Sequence, residues 1–179
     1  MKRVSDIRST LKKGEKVCDE TPGWYRWWCD KEAASRLLKR LEVDIDKLSH
    51  KNIDGKECVA IYFGISTKGK GLNGRLKWHI CQEHRPSAVI NGTLSTFRQS
   101  LSALLGKKMV NAEAAINAFM DEHCFLEFHN ANDAAEAKAV ESQELNNGAY
   151  FYPINIQDAQ GTPEKVRKRL KELRKTYKS

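Results

Sequence analysis

Polar and apolar positions along this chain repeat with two periods, close to two residues and close to 3.6, and the changes of period mark out its elements. Residues 23–28, GWYRWW, alternate as a strand does, which puts Trp24, Arg26 and Trp28 on one face and Tyr25 and Trp27 on the other. KEAASRLLKRL (31–41) then sets Ala34, Leu37, Leu38 and Leu41 on one side of an amphipathic helix. A polar stretch with a turn signal at Asp54-Gly55 leads into CVAIYFGIS (58–66), a continuous apolar run that predicts a buried strand. TKGKGLNG (67–74) reads as a loop, and RLKWHICQEH (75–84) resumes helical spacing until Pro86 interrupts it.

The second half continues in the same way. Leu94, Phe97, Leu101, Leu104 and Leu105 share a helix face with Gly106 as its stop, and Asn111 is placed to cap a helix running to 122. CFLEF (124–128) is a strand, and Asn132 or Asp133 caps a helix over 134–145 that Asn147-Gly148 ends. FYPINI (151–156) is extended, its proline favouring a sheet edge or loop, and Pro163 opens a last helix. The order predicts one mixed α/β (α+β) domain with a three-stranded centre flanked by helices. Its expected parts are a basic arm over 1–20, a body over 21–160 with a helical insertion around 31–57, and a basic helix over 161–179.

Composition adds a constraint on partners. The net charge of +8 is concentrated at the ends, with +6 in residues 163–179, +4 in residues 1–17 and −2 between them. Basic ends on a near-neutral body attract polyanions. The five cysteines include no CxxC pair and form no disulfide framework or recognised zinc spacing, which points to a reducing, cytoplasmic setting and inert thiols. No apolar run approaches a membrane span.

Chemistry concentrates on the two tyrosine–glycine pairs. Gly23-Trp24-Tyr25 lies on one predicted strand and Tyr62-Phe63-Gly64 on the next, followed by a helix that begins with Arg75 and carries His79 one turn later. This order resembles the GIY-YIG nuclease family over about residues 22–156. The resemblance implies a mostly antiparallel sheet and a catalytic set of Tyr25, Tyr62, Arg75, His79, Glu141 and Asn155. Glu141 would be the metal carboxylate, with Glu144 one turn on as the alternative, and Asn155 comes from Pro153-Ile154-Asn155. His79 matches a histidine of the restriction-enzyme branch. The chain departs from the family pattern in the long gap between Tyr25 and Tyr62.

The residue types suit phosphodiester hydrolysis. One carboxylate holding Mg²⁺ (or Mn²⁺) leaves positions for water and phosphate, and an arginine fork clamps two phosphate oxygens. A tyrosine is a weak base near its ordinary pKa of about 10, and Arg75, Lys68, Lys70 and a metal ion are the cations expected to favour its phenolate. Tyr25 is accordingly cast as proton acceptor or relay, Tyr62 as its partner, and the two glycines as points of close approach for nucleic acid. The expected activity is a Mg²⁺-dependent DNA endonuclease of restriction or mobile-element type acting on double-stranded DNA; a non-catalytic DNA- or RNA-binding domain on the same scaffold is the alternative. In the last helix Val166, Leu170, Leu173 and Tyr177 form an apolar stripe, leaving Arg167, Lys168, Lys171, Arg174 and Lys175 to face phosphates. A homodimer is left open.

Overall fold

The structure, a computed structural model, describes residues 1–157 and 159–178. Asp158 and Ser179, which fall in the expected body and C-terminal helix, lie outside the described residues. The strands are β1 (Lys2–Arg3), β2 (Gly23–Asp30), β3 (His50–Ile53), β4 (Lys56–Ser66) and β5 (Cys124–Asn130). They form one sheet in the order β1-β5-β2-β4-β3 with every neighbouring pair antiparallel.

Five strands therefore replace the expected three. The two additional ones are the sheet's edges, and both are short and almost wholly exposed. An edge strand of His-Lys-Asn-Ile buries only its last residue, so no period-two signal marks it. The Asp54-Gly55 turn does form the β3–β4 hairpin, with φ of 51° and 79° at its two residues, as a two-residue hairpin loop requires.

Helices cover the sheet. They are α1 (Val4–Lys12), α2 (Lys31–Leu38), α3 (Gly71–Cys81), α4 (Pro86–Ile90), α5 (Thr96–Leu104), α6 (Glu113–His123), α7 (Ala134–Leu145) and α8 (Glu164–Thr176). Ala34, Leu37, Leu38 and Leu41 are buried as their spacing predicts, and Asp30 caps α2 by accepting from Ala33 N–H at 2.8 Å. Asp133 caps α7 by accepting from the N–H groups of Ala135 and Glu136. Asn111 caps nothing; it ends a short 3₁₀ turn, and α6 starts two residues later. Pro86 starts α4 from its first turn, where its missing N–H leaves no bond unmade.

The N-terminal segment is no loose arm. Val4, Ile7 and Leu11 recur at spacings of three and four and are buried in the main core, while Arg8 pairs with Asp121 at 2.8 Å. The apolar stripe of α8 docks in that same core through Val166, Leu170 and Leu173. Tyr25, Trp27 and Cys29 of β2 enter this larger core, and Trp28 enters a smaller one on the opposite face with Phe63, Leu145 and Tyr152. Among the described residues, no helix is long and apolar enough to cross a membrane. All five cysteines are free thiols.

Candidate active site

Both tyrosines face the same core because Gly64 pairs with Tyr25 and Tyr62 lies two residues from Gly64 in the same regular stretch of the ladder. β2 and β4 pair in step from Gly23–Ser66 to Trp27–Tyr62 and then jump to Trp28–Ala60, so Ile61 is an extra residue in a β-bulge. Ile61 and Tyr62 consequently both point into the larger core, while Ala60 and Phe63 point into the smaller. Strict alternation would have put Ile61 and Tyr62 on opposite faces.

Gly64 sits directly across from Tyr25 in the ladder, and a Cβ there would stand 2.5 Å from the Tyr25 hydroxyl oxygen. Gly23 is equally confined, because its Cβ would stand 2.4 Å from the His129 carbonyl oxygen and 2.8 Å from Leu72. These glycines make room for the protein's own atoms. Gly64 also borders the cleft described below.

Tyr25 is fully buried, and its hydroxyl oxygen lies 2.7 Å from His79 Nε2. Arg75 Nε–H donates to that oxygen at 3.3 Å, and His79 Nδ1 lies 2.7 Å from Ser95 Oγ. Ser95 also accepts from Arg98 N–H at 3.2 Å, which makes it the N-cap of α5. Arg75 and His79, four residues apart on α3, thus reach one phenol from the same helix face. Burial raises the Tyr25 pKa well above its ordinary value, as does neighbouring Tyr62, and the Arg75 charge does not offset them. Burial raises the Tyr62 pKa too, against the opposing pull of Thr96, Arg75 and Tyr25, with Glu141 adding to the rise. Burial, followed by the charges of Arg75 and Arg98, pushes His79 well below the usual histidine range. Burial thus favours the neutral form of all three groups, against the cation-stabilised phenolate that the sequence suggests.

Above this buried layer lies a cleft of ≈ 690 Å³, bordered by Tyr62, Arg75, Thr96, Glu141, Asn155 and the basic face of α8. Tyr62, 8% exposed, is its floor. Tyr25 and His79 do not line it; they support Tyr62 and Arg75 from beneath. The Arg75 guanidinium is opposed by burial, but Tyr25, Tyr62 and Glu141 outweigh that and hold its pKa above the ordinary value.

Glu144 faces the other side of the sheet. Arg26 pairs with it at 2.6 Å, and it accepts from the hydroxyls of Tyr150 at 3.0 Å and Tyr152 at 2.5 Å. Asn155 borders the cleft, yet its side chain is spent on backbone: Oδ1 accepts from Phe63 N–H at 2.9 Å, and Nδ2 donates to Phe63 C=O at 2.8 Å. It fixes β4 beside Tyr62.

Of the basic residues singled out in the sequence, Lys171, Arg174 and Lys175 line the cleft, joined by Lys178, which the helical pattern did not include. Lys168 instead pairs with Glu164 at 2.8 Å on another surface, and Arg167 Nε–H donates to Thr162 C=O at 3.1 Å. Lys68 and Lys70 border an adjacent groove on the other side of Arg75. Ser95 was overlooked as a functional residue; its signal was its place three residues before Arg98 at a helix start, read only as helix.

The donor set fits one hard cation and little else. Among the described residues no group of three or more His, Cys, Asp or Glu side chains is arranged to hold a metal. Among the described residues Glu141 is the one carboxylate that lines the cleft, which suits Mg²⁺, an ion that takes one or two carboxylates and completes its shell with water and phosphate oxygens.

A family model described as a GIY-YIG catalytic domain matches residues 23–176. No curated protein and no solved structure matches the chain.

Proposed function

The chain belongs to the GIY-YIG catalytic-domain family, a nuclease family, and from that premise we propose that it is a Mg²⁺- or Mn²⁺-dependent endonuclease cutting double-stranded DNA, of the restriction or mobile-element type. The observation that carries this reading is the meeting of Arg75, Tyr62 and Glu141 in one cleft whose far wall is the basic face of α8.

In this reading Lys171, Arg174, Lys175 and Lys178 draw the backbone in, and Arg75 clamps two oxygens of the phosphate to be cut. Glu141 holds the metal ion, which when bound supplies Lewis-acid stabilisation of phosphate charge and an acidic water. Tyr62 is the phenol that meets the attacking water, because Tyr25 is wholly covered. Tyr25 and His79 form the proton path behind it. With its proton on Nδ1, shared with Ser95, His79 turns the Nε2 lone pair to the Tyr25 hydroxyl. An anionic phosphate on Arg75 neutralises one of the two charges that depress His79, so substrate binding itself raises the affinity of this path for a proton. The His79–Tyr25 pairing is also what supports the restriction-type assignment, and the free thiols suit a cytoplasmic location.

Arg75 separates catalysis from binding. In Arg75→Ala and Arg75→Lys, cleavage of a duplex should fall by about 10²–10³, the effect of removing one transition-state donor, because an ammonium lacks the bidentate fork. Duplex affinity, spread over many phosphates, should fall by less than about tenfold. Equal losses of binding and cleavage would favour a binding-only protein on this scaffold.

A further inference from the structure

Trp78 has no part in the chemistry above. It follows Arg75 by three residues on α3, and the Arg75 guanidinium carbon lies 4.5 Å from its ring centroid. Trp27 and Trp28 are buried, and Trp24 is stacked with Phe63 and His129 beside the smaller core. Trp78, partly exposed like Trp24, alone among the tryptophans borders two grooves at once. One is the cleft; the other, of ≈ 520 Å³, is also lined by Ile65, Lys68, Lys70 and Arg75. The Arg75–Trp78 pair is the ridge between them.

An indole left partly in water beside exposed lysines has the make-up of a single-strand subsite: cations for the phosphates and a π surface that accepts any base. A base inside a duplex keeps both faces covered by its neighbours, so only an unpaired or extruded base can reach such a ring. The groove's volume lies in the roughly 300–1,000 Å³ range of pockets that take small molecules, enough for one nucleotide rather than a duplex.

On the nuclease reading of the cleft, we infer that Trp78, Lys68 and Lys70 form a stacking subsite for one unpaired nucleotide next to the phosphate held by Arg75. The preferred substrate is then DNA carrying an unpaired or extrudable base beside the cut. Arg75 links the two functions, since it faces the phosphate from one groove and stiffens the ring from the other.

The test is binding in EDTA, where cleavage does not intervene. Wild type, Trp78→Ala and Trp78→Phe are titrated with a 20-bp duplex and with the same duplex containing one unpaired nucleotide. Wild type should bind the second roughly tenfold more tightly, with quenching of tryptophan fluorescence, from the usual worth of one base–aromatic stack. Trp78→Ala should abolish the preference, and Trp78→Phe should keep most of it while losing the quench. Equal binding of the two DNAs by wild type would overturn the inference. So would a Trp78→Ala protein that retains the preference, or one that weakens both alike, which would leave Trp78 as mere support for Arg75. A protein that shows the preference but never cuts DNA would sink the nuclease reading and leave the subsite standing.

Discussion

At Gly64 a single hydrogen in place of a methyl group decides whether Tyr25 fits. Gly64→Ala places a Cβ about 2.5 Å from the phenolic oxygen, with the ring carbon behind it at 2.7 Å, and Tyr25 has no free space to retreat into. The substitution should destabilise the fold by about 1–3 kcal/mol, the usual cost of overpacking, and urea denaturation measures it. His79 makes a second prediction at this scale. Its folded pKa is depressed by burial and by Arg75 and Arg98, whereas the unfolded chain binds its proton near the ordinary pKa of about 6.5. Below that pH the unfolded state takes up a proton that the folded state refuses, so stability is lost as pH falls toward the folded pKa. His79→Gln should flatten the stability profile between pH 5 and 7, by at most about 1.4 kcal/mol per pH unit. An unchanged slope in urea melts would show that His79 is not the group responsible. The sequence singles out Tyr25, Tyr62, Arg75, His79 and Glu141, and the structure places them around one cleft and the layer beneath it. Their division into a cleft layer and a buried layer was not legible in the sequence, because burial depends on the helices packed above.

Among the elements, the long periodic ones were readable and the short ones were not. β2, β4, α2 and α8 each carry a full period of core residues, whereas β1 and β3 expose nearly every side chain and α4 is five residues long. The bulge at Ile61 has no sequence signal either, since two apolar residues in a row look like any buried strand. The proposal of Glu141 over Glu144 is supported on the opposite side of the sheet, where Arg26, Tyr150 and Tyr152 occupy Glu144. The α8 helix shows the same split of faces. Its stripe is core, so removing the helix strips Val166, Leu170 and Leu173 from the protein's interior, and charge substitution is the cleaner probe. Lys171→Gln, Lys175→Gln and Lys178→Gln together should lower the salt slope of duplex binding by about 3, at about 0.9 per phosphate contact. Lys168→Gln, on the far surface beside Glu164, should leave the slope unchanged. Identical slopes for the triple variant and wild type would remove α8 from the DNA contact surface.

The whole molecule is one antiparallel sheet whose larger-core face carries Tyr25, Tyr62 and His79, and whose smaller-core face holds α7 through a half-buried ionic cluster. Arg26 joins Glu144 at 2.6 Å and Glu127 at 3.1 Å, while Tyr152 leads directly into the turn that brings Asn155 to Phe63. Both faces therefore act on the cleft: one supplies groups that line it, and the other fixes the helix and strand that carry Glu141 and Tyr62. The account's central claim is that Glu141 turns this cleft into a metal-dependent phosphodiesterase. Nicking of a supercoiled plasmid tests it most directly, with wild type and Glu141→Gln compared in Mg²⁺ and in EDTA. Conversion to open-circular or linear DNA by wild type in Mg²⁺ alone, with none by a folded Glu141→Gln, is the predicted result. Equal nicking by the two proteins, or nicking that persists in EDTA, would contradict it.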